Sequence, residues 1–206
     1  METLRERKKH RTRETLVATA LELFTDRGFA ATTLDELCES AEVSKRTFFR
    51  YFTSKEDVAT APGHDMWRAF LARLARDEGR GKVVDLLQEA LLATLADMPD
   101  EGWADRLLLS RQLAARVPSV DAHGLHFCHR TSLAALEVLR GRTGLPEDDL
   151  RLRLAVDVLV AAFQRAQERW AGLPGSPGRA ELAGCAREAF AALPGVFAIA
   201  VGETAS

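Results

Sequence analysis

The sequence predicts an all-α protein of about nine helices. An N-terminal three-helix domain with a helix-turn-helix precedes a larger helical C-terminal domain. Three observations predict this. Apolar residues recur at i, i+3 and i+4 in segment after segment, and no segment alternates convincingly with the period of a strand. Gly and Pro clusters stand between the periodic segments. Two short segments near residues 33–52, each with its own N-cap, are separated by a tight turn. The length of 206 residues fits one large or two small domains. The boundary is placed after residue 55, giving 1–55 and 56–206.

In the first of these domains, the opening helix is expected over about Thr12 to Arg27. Leu16, Val17, Ala20, Leu23 and Phe24 form its buried stripe. Gly28 is a natural stop, after which Phe29 packs back. Ahead of the helix stand Arg5, Arg7, Lys8, Lys9, Arg11 and Arg13. They read either as a solvated disordered arm or as an arm that touches a nucleic-acid backbone or minor groove.

Thr33 is an N-cap with Glu36 at the capping-box spacing. Leu34, Leu37 and Ala41 share one stripe, so Leu34 to Ser40 is a short amphipathic helix. Glu42 and Val43 make the connection, and Val43 pins it to the core. Ser44 caps the next helix, Lys45 to Phe52, with Phe48 and Phe52 facing inward. Lys45, Arg46, Thr47, Arg50 and partly Phe49 and Tyr51 point outward or to the flanks. Two cations and a hydroxyl at a helix N-terminus suit a major groove, because Lys and Arg donate to guanine N7 and O6. The Tyr51 hydroxyl reaches a phosphate. Ser54 caps a further helix, and Lys55 adds a cation beside free backbone N–H groups.

The segment Thr33–Asp57 resembles the DNA-binding domain of TetR-type bacterial repressors. Thr33, Leu37, Ala41, Val43, Ser44, Thr47, Phe48, Phe49, Tyr51, Phe52, Ser54, Lys55 and Glu56 match its pattern at fixed spacing. Two positions depart from it: Phe49 stands where the family often has Tyr, and Arg46 where it often has Gly. Leu37, Val43, Phe48 and Phe52 read as core. The resemblance implies that Lys45, Arg46, Thr47, Phe49 and Tyr51 contact a double-stranded DNA operator, with Thr33, Ser44 and Lys55 on phosphate.

Beyond Ser54 a helix is expected to break or kink at Ala61-Pro62-Gly63, since an interior Pro costs about 3 kcal/mol. It restarts over His64 to Asp77 with Trp67, Phe70, Leu71 and Leu74 inward. The resemblance instead implies one long connecting helix here. Further helices are expected over Lys82–Ala96, Trp103–Val117, from Ser119 or Asp121 to Arg140, over Glu147–Ala171 and over Arg179–Leu193. Pro194-Gly195 is expected to end the last, leaving the short apolar tail Val196–Val201. The segment Glu147–Ala171 carries two apolar rows: Leu150, Leu154, Val158, Ala161 and Ala162 in one, Leu152, Ala155, Leu159 and Phe163 in the other. A helix apolar on two faces is buried on both or meets a partner. The last two helices are therefore the candidate dimer surface. The resemblance likewise implies a homodimer through them, and with it a palindromic operator. Leu107-Leu108-Leu109-Ser110-Arg111 and Gln167-Glu168-Arg169-Trp170 are similar to the C-terminal domain of mycofactocin-type regulators.

The formal net charge of −2 argues against indiscriminate coating of nucleic acid. Residues 1–55 hold 11 Lys and Arg against 9 Asp and Glu, whereas 56–206 hold 17 against 21. The basic surplus thus sits with the candidate DNA-reading helix. No apolar run is long enough to span a bilayer, and no signal peptide is expected, which points to a cytoplasmic protein without a membrane partner. Cys38, Cys128 and Cys185 read as free thiols. His123, His126 and His129, with Cys128, drift around a helix and are not expected to hold a metal. No phosphate loop, nucleophile elbow or carboxylate pair appears, so neither a cofactor nor a catalytic residue is assigned. Trp67, Phe70, Trp103, Phe127, Phe163 and Trp170 are candidates to line a pocket for an apolar or planar effector, against the plainer reading of core packing. The expected function is a ligand-responsive regulator, a repressor released from its operator by a small molecule. The alternatives are a helical small-molecule-binding protein or enzyme with a vestigial helix-turn-helix, and an activator or nucleoid-type binder.

Overall fold

Helix-period patterning becomes helix throughout the computed structural model, which describes residues 3–99, 102–196 and 198–200. Nine α-helices and no strand occur among the described residues: α1 (Leu4–Asp26), α2 (Leu34–Ser40), α3 (Lys45–Tyr51), α4 (Lys55–Arg76), α5 (Val83–Asp97), α6 (Trp103–Ala114), α7 (Pro118–Thr143), α8 (Leu150–Ala171) and α9 (Arg179–Val196). The chain forms two compact units, Met1–Arg68 with Pro99–Thr131, and Ala69–Met98 with Ser132–Ser206. Helices α4 and α7 each contribute to both.

In the first unit, Leu16, Ala20 and Phe24 of α1, Leu37 of α2, Phe48 of α3 and Val58 of α4 bury one another, joined by Leu113 and Val120. Polar ties flank this core. Arg13 donates twice to Asp65, at 2.6 and 2.8 Å, and Arg106 donates to Glu14 at 2.8 Å. The bidentate form gives the first tie both strength and direction.

Helix α1 starts much earlier than expected, and residues 4–11 are helix instead of arm. Thr3 and Glu6 form a capping box there, a signal present in the sequence. The basic cluster is therefore an exposed helix surface, except Arg13, which is held by Asp65. Of the break or kink expected at Pro62, the break is absent, because α4 continues through it as helix. Proline there removes the donor for the Val58 carbonyl. Val58, Ala59, Ala61 and Met66 are all completely or almost completely buried, and burial of that order outweighs one lost bond. The Pro62 carbonyl gains a second donor, the Trp103 indole N–H at 3.2 Å.

The second unit is built where α5, α8 and α9 pack together. Leu87, Leu91 and Leu95 of α5 meet Leu152, Leu159, Phe163 and Trp170 of α8 and Leu182, Ala186 and Phe190 of α9 in its buried interior. The Trp170 indole donates to the Gly178 carbonyl at 3.0 Å, so the largest buried ring leaves no polar atom unsatisfied. Arg179 donates to the Ala96 and Met98 carbonyls, closing α9 onto the end of α5. Helix α8 starts at Leu150 under an Asp149 cap, later than expected. Helix α9 continues through Pro194, which costs only one ladder bond in the final turn. The apolar tail expected over Val196–Val201 lies partly outside the described residues.

Gly63 sits within α4, and a Cβ there would meet Leu107 at an ordinary 3.8 Å. Gly63→Ala removes backbone entropy from the unfolded chain without a clash. The expected result is a gain of about 1 kcal/mol, read as a higher urea midpoint at unchanged m-value.

Candidate functional site

Two N-caps set the geometry of α2 and α3. Thr33 accepts from the Glu36 N–H at 3.2 Å, while the Thr33 N–H and hydroxyl both donate to Glu36 at 2.8 Å. Those two bonds from Thr33 hold the Glu36 carboxyl below its usual range. Ser44 accepts from the Thr47 N–H at 3.1 Å, and the two hydroxyls lie 3.0 Å apart. Between the helices Glu42 takes φ +52°, a left-handed turn residue, and the Val43 N–H returns to the Cys38 carbonyl at 2.9 Å. The turn therefore costs Glu42 backbone strain in exchange for a tight reversal.

Helix α3 is anchored from one side. Phe48 is 0% exposed, whereas its neighbour Phe49 is 56% exposed and meets it edge-on with ring centroids 5.4 Å apart. Lys45, Arg46 and Arg50 are exposed, and Thr47 and Tyr51 are half-buried. Lys45 pairs with Asp35 at 2.7 Å, but both side chains are mostly in solvent. Such a pair contributes about 0–1 kcal/mol and yields readily to another anion. Arg50 lies over the Tyr51 ring and donates to its hydroxyl at 3.3 Å, leaving the phenolic proton to donate elsewhere.

Lys55 is placed differently from the free cation expected of it. Its ammonium donates to the Phe29 carbonyl at 2.8 Å and the Thr32 carbonyl at 2.7 Å, and lies 4.6 Å from the centre of the Phe29 ring. It braces the start of α4 against the α1–α2 corner. The reason is tertiary: the carbonyls leaving α1 point at the first turn of α4, and nothing local in the sequence shows this.

Trp67, Trp103 and Phe127 belong to the first unit, and Phe70, Phe163 and Trp170 to the second. Trp103, Phe70, Phe163 and Trp170 are buried in packing, and Trp67 and Phe127 are half-buried. A cleft of about 440 Å³ in the second unit is lined by other residues, among them Arg73, Arg76, Asp97 and Met98.

The three histidines that drift around α7 differ in their surroundings. His126 and His129 are exposed, while His123 turns inward toward Asp57 and His64 of α4. One ligand atom from each of these three lies within 4.8 Å of the others. Burial, followed by the neighbouring His123 and Arg68, lowers the His64 imidazole to about 3, so the ring is neutral. It stacks on Phe127 with centroids 3.7 Å apart. Asp57 and His64 stand seven residues apart, two turns along one helix face, which the sequence does show. Their meeting with His123 depends on how α4 packs against α7.

Lys55→Met keeps the aliphatic stem and removes the ammonium, leaving two carbonyls without their donor. The expected loss is about 1–3 kcal/mol of stability, measurable by urea unfolding.

Comparison with known proteins places this geometry. Residues 16–61 match the family of bacterial regulatory proteins, tetR family, and residues 81–198 match the MftR C-terminal domain. The HTH-type transcriptional regulator TcmR of Streptomyces glaucescens is 34% identical over 172 residues, 81% of this chain and 76% of that protein. The HTH-type transcriptional repressor NemR of Escherichia coli K12 is 35% identical over 96 residues, 46% of this chain and 48% of NemR. Two solved structures share the fold. FadR of Thermus thermophilus, a TetR-family repressor in complex with lauroyl-CoA, has a TM-score of 0.55 at 24% identity, covering 94% of this chain and 100% of that one. The SmeT–triclosan complex has a TM-score of 0.54 at 19% identity, covering 93% of each chain. With its capped helix-turn-helix and its MftR-type C-terminal domain, the chain belongs to the TetR family of DNA-binding transcriptional regulators.

Proposed function

We propose that the chain acts as a homodimeric repressor that leaves a palindromic operator when a small apolar molecule binds. Residues 1–55 serve as the DNA-binding part and 56–206 as the ligand-binding and dimerisation part. The observation that carries the reading is the polarity of α3: Phe48 is completely buried, while Lys45 and Arg46 are exposed at the capped N-terminus. That face suits a major groove, where Lys45, Arg46 and Thr47 reach base edges and Phe49 offers an apolar contact. The Tyr51 hydroxyl donates to phosphate. Thr33, Ser44 and Lys55 lie where helix starts meet the backbone of the duplex. Thr33 and Lys55 take part by giving up present hydrogen bonds or, for Lys55, through its third ammonium proton.

Dimerisation is supported by α8. Its row Leu152, Leu159 and Phe163 is buried, while Leu150 and Leu154 of the second row are 72% and 57% exposed. An exposed apolar row of that kind is satisfied by a second copy across a two-fold axis, with α9 alongside. Of the six aromatics, Trp67 and Phe127 are the accessible ones and are the lining an apolar effector meets first. A regulator of transcription works in the cytoplasm, and no helix among the described residues is long and apolar enough to cross a membrane. No catalytic role or cofactor is assigned.

The test is a mobility shift on the promoter region beside the chain's own gene, across a salt series. Wild type is expected to bind selectively, with affinity falling as salt rises. Lys45→Ala/Arg46→Ala is expected to weaken binding by at least about tenfold while its helical circular dichroism stays the same, since each base contact is worth about 1–3 kcal/mol. Equal binding by wild type and double variant on every fragment rejects the assignment. For the assembly, Leu154→Glu is expected to convert a dimer to a monomer in light scattering after gel filtration.

A further inference from the structure

We propose that Asp57, His64 and His123 form a binding site for a divalent transition metal of the zinc class, joining the first turns of α4 to α7. The three groups converge without bonding to one another. Asp57 Oδ1 is 3.8 Å from His64 Nδ1 and 3.8 Å from His123 Nε2, too far for a hydrogen bond in either case. Yet the carboxylate is not free to turn away. Its other oxygen, Oδ2, accepts from the Thr53 N–H at 2.9 Å and from the Thr53 hydroxyl at 3.1 Å. Thr53 thereby orients Asp57 so that Oδ1 faces the two imidazoles, as outer partners of metal-binding carboxylates do.

His64 is only 4% exposed, and its Nδ1 is the ring nitrogen that faces Asp57 Oδ1. A buried imidazole nitrogen that meets a carboxylate oxygen and a second imidazole without bonding to either suits a shared ion. Stacking on Phe127 fixes the plane of the ring. Two imidazoles and one carboxylate, acting as metal ligands, present a single negative charge to the ion. The nearby cations Arg13 and Arg68 are both engaged with Asp65.

The ligand chemistry points to a borderline metal. Two nitrogens and one carboxylate oxygen suit zinc or its neighbours, and not magnesium or calcium. Bonds of about 2.0–2.2 Å in a tetrahedron put ligand atoms about 3.3–3.5 Å apart. The observed separations, 3.8 Å from Asp57 Oδ1 to each imidazole and within 4.8 Å across the set, close to that by side-chain rotation, chiefly of the half-exposed His123. Water completes the set, because His123 is 31% exposed and gives access from solvent. All three residues lie in the first unit. Asp57 is two residues beyond Lys55, so a bound metal clamps the end of α4 that follows the helix-turn-helix. The metal site does not rest on the DNA-contact assignments.

The experiment uses the full chain, stripped with a chelator and dialysed. Zinc is titrated against a chromophoric chelator, and cobalt is followed by its visible absorption. The expected result is one equivalent per chain, cobalt bands of a four- or five-coordinate nitrogen–oxygen site, and a higher melting midpoint with zinc. His123→Ala and Asp57→Asn are each expected to weaken zinc binding by at least about tenfold and to abolish the rise in melting midpoint. His126→Ala/His129→Ala is expected to change neither. His64 is not the position to vary, since its buried ring serves the core as well. If one of the two variants fails to fold, as judged by circular dichroism, the other decides. No stoichiometric binding by wild type, or binding that survives the folded His123 and Asp57 variants, overturns the site.

Discussion

The burial of Phe48 is the constraint from which the presentation of the reading surface follows. A seven-residue helix has too few internal hydrogen bonds to hold itself in water. Helix α3 exists because Phe48 is sunk among Leu16, Leu37 and Val58, and because Ser44 satisfies an N–H at its start. Once that ring is inside, helical geometry leaves no choice about the rest. Lys45, Arg46 and Phe49 must lie on the remaining arc, and the left-handed turn at Glu42 sets where the helix begins. A hydrophobic contact thereby decides the direction of the charges.

The cations of this unit divide by what they are committed to. Arg13 is locked to Asp65 by two hydrogen bonds, and Lys55 is locked to two carbonyls. Both are part-buried, and both hold helices together. Lys45, by contrast, meets Asp35 in solvent, and Arg46 is exposed. Identical charge thus serves structure or recognition according to burial, because a desolvated cation needs fixed partners while a hydrated one exchanges them at little cost. This is why the basic surplus of residues 1–55 overstates the charge available to a ligand.

Helix α4 shows how packing overrides a local rule. Pro62 is poor in a helix interior, yet the helix continues, because the residues before and after it are buried on the same side. Continuity has a chemical consequence. Asp57 and His64 keep the two-turn spacing that puts them on one face, and a break at Pro62 would have parted them. His123 then arrives from α7.

How much was legible can be said residue by residue. The sequence by itself determined the all-α class, the caps at Thr33 and Ser44, the span of α2, the inward Phe48 and the outward Lys45 and Arg46. Each follows from helical periodicity and from bonds made within four residues, which are local. The two rows of α8 were legible for the same reason: Leu152, Leu159 and Phe163 of one are buried, while Leu150 and Leu154 at the start of the other are exposed. The early start of α1 is local as well, since it follows from the capping box of Thr3 and Glu6. Only the tertiary structure decided that Lys55 is a brace, that Arg13 is spent, that α4 ignores its proline, and that His123 leaves its neighbours to join Asp57 and His64. These depend on residues from 23 to about 66 positions apart meeting in space. Such meetings are set by how helices pack, and periodicity along one helix carries no record of its neighbour.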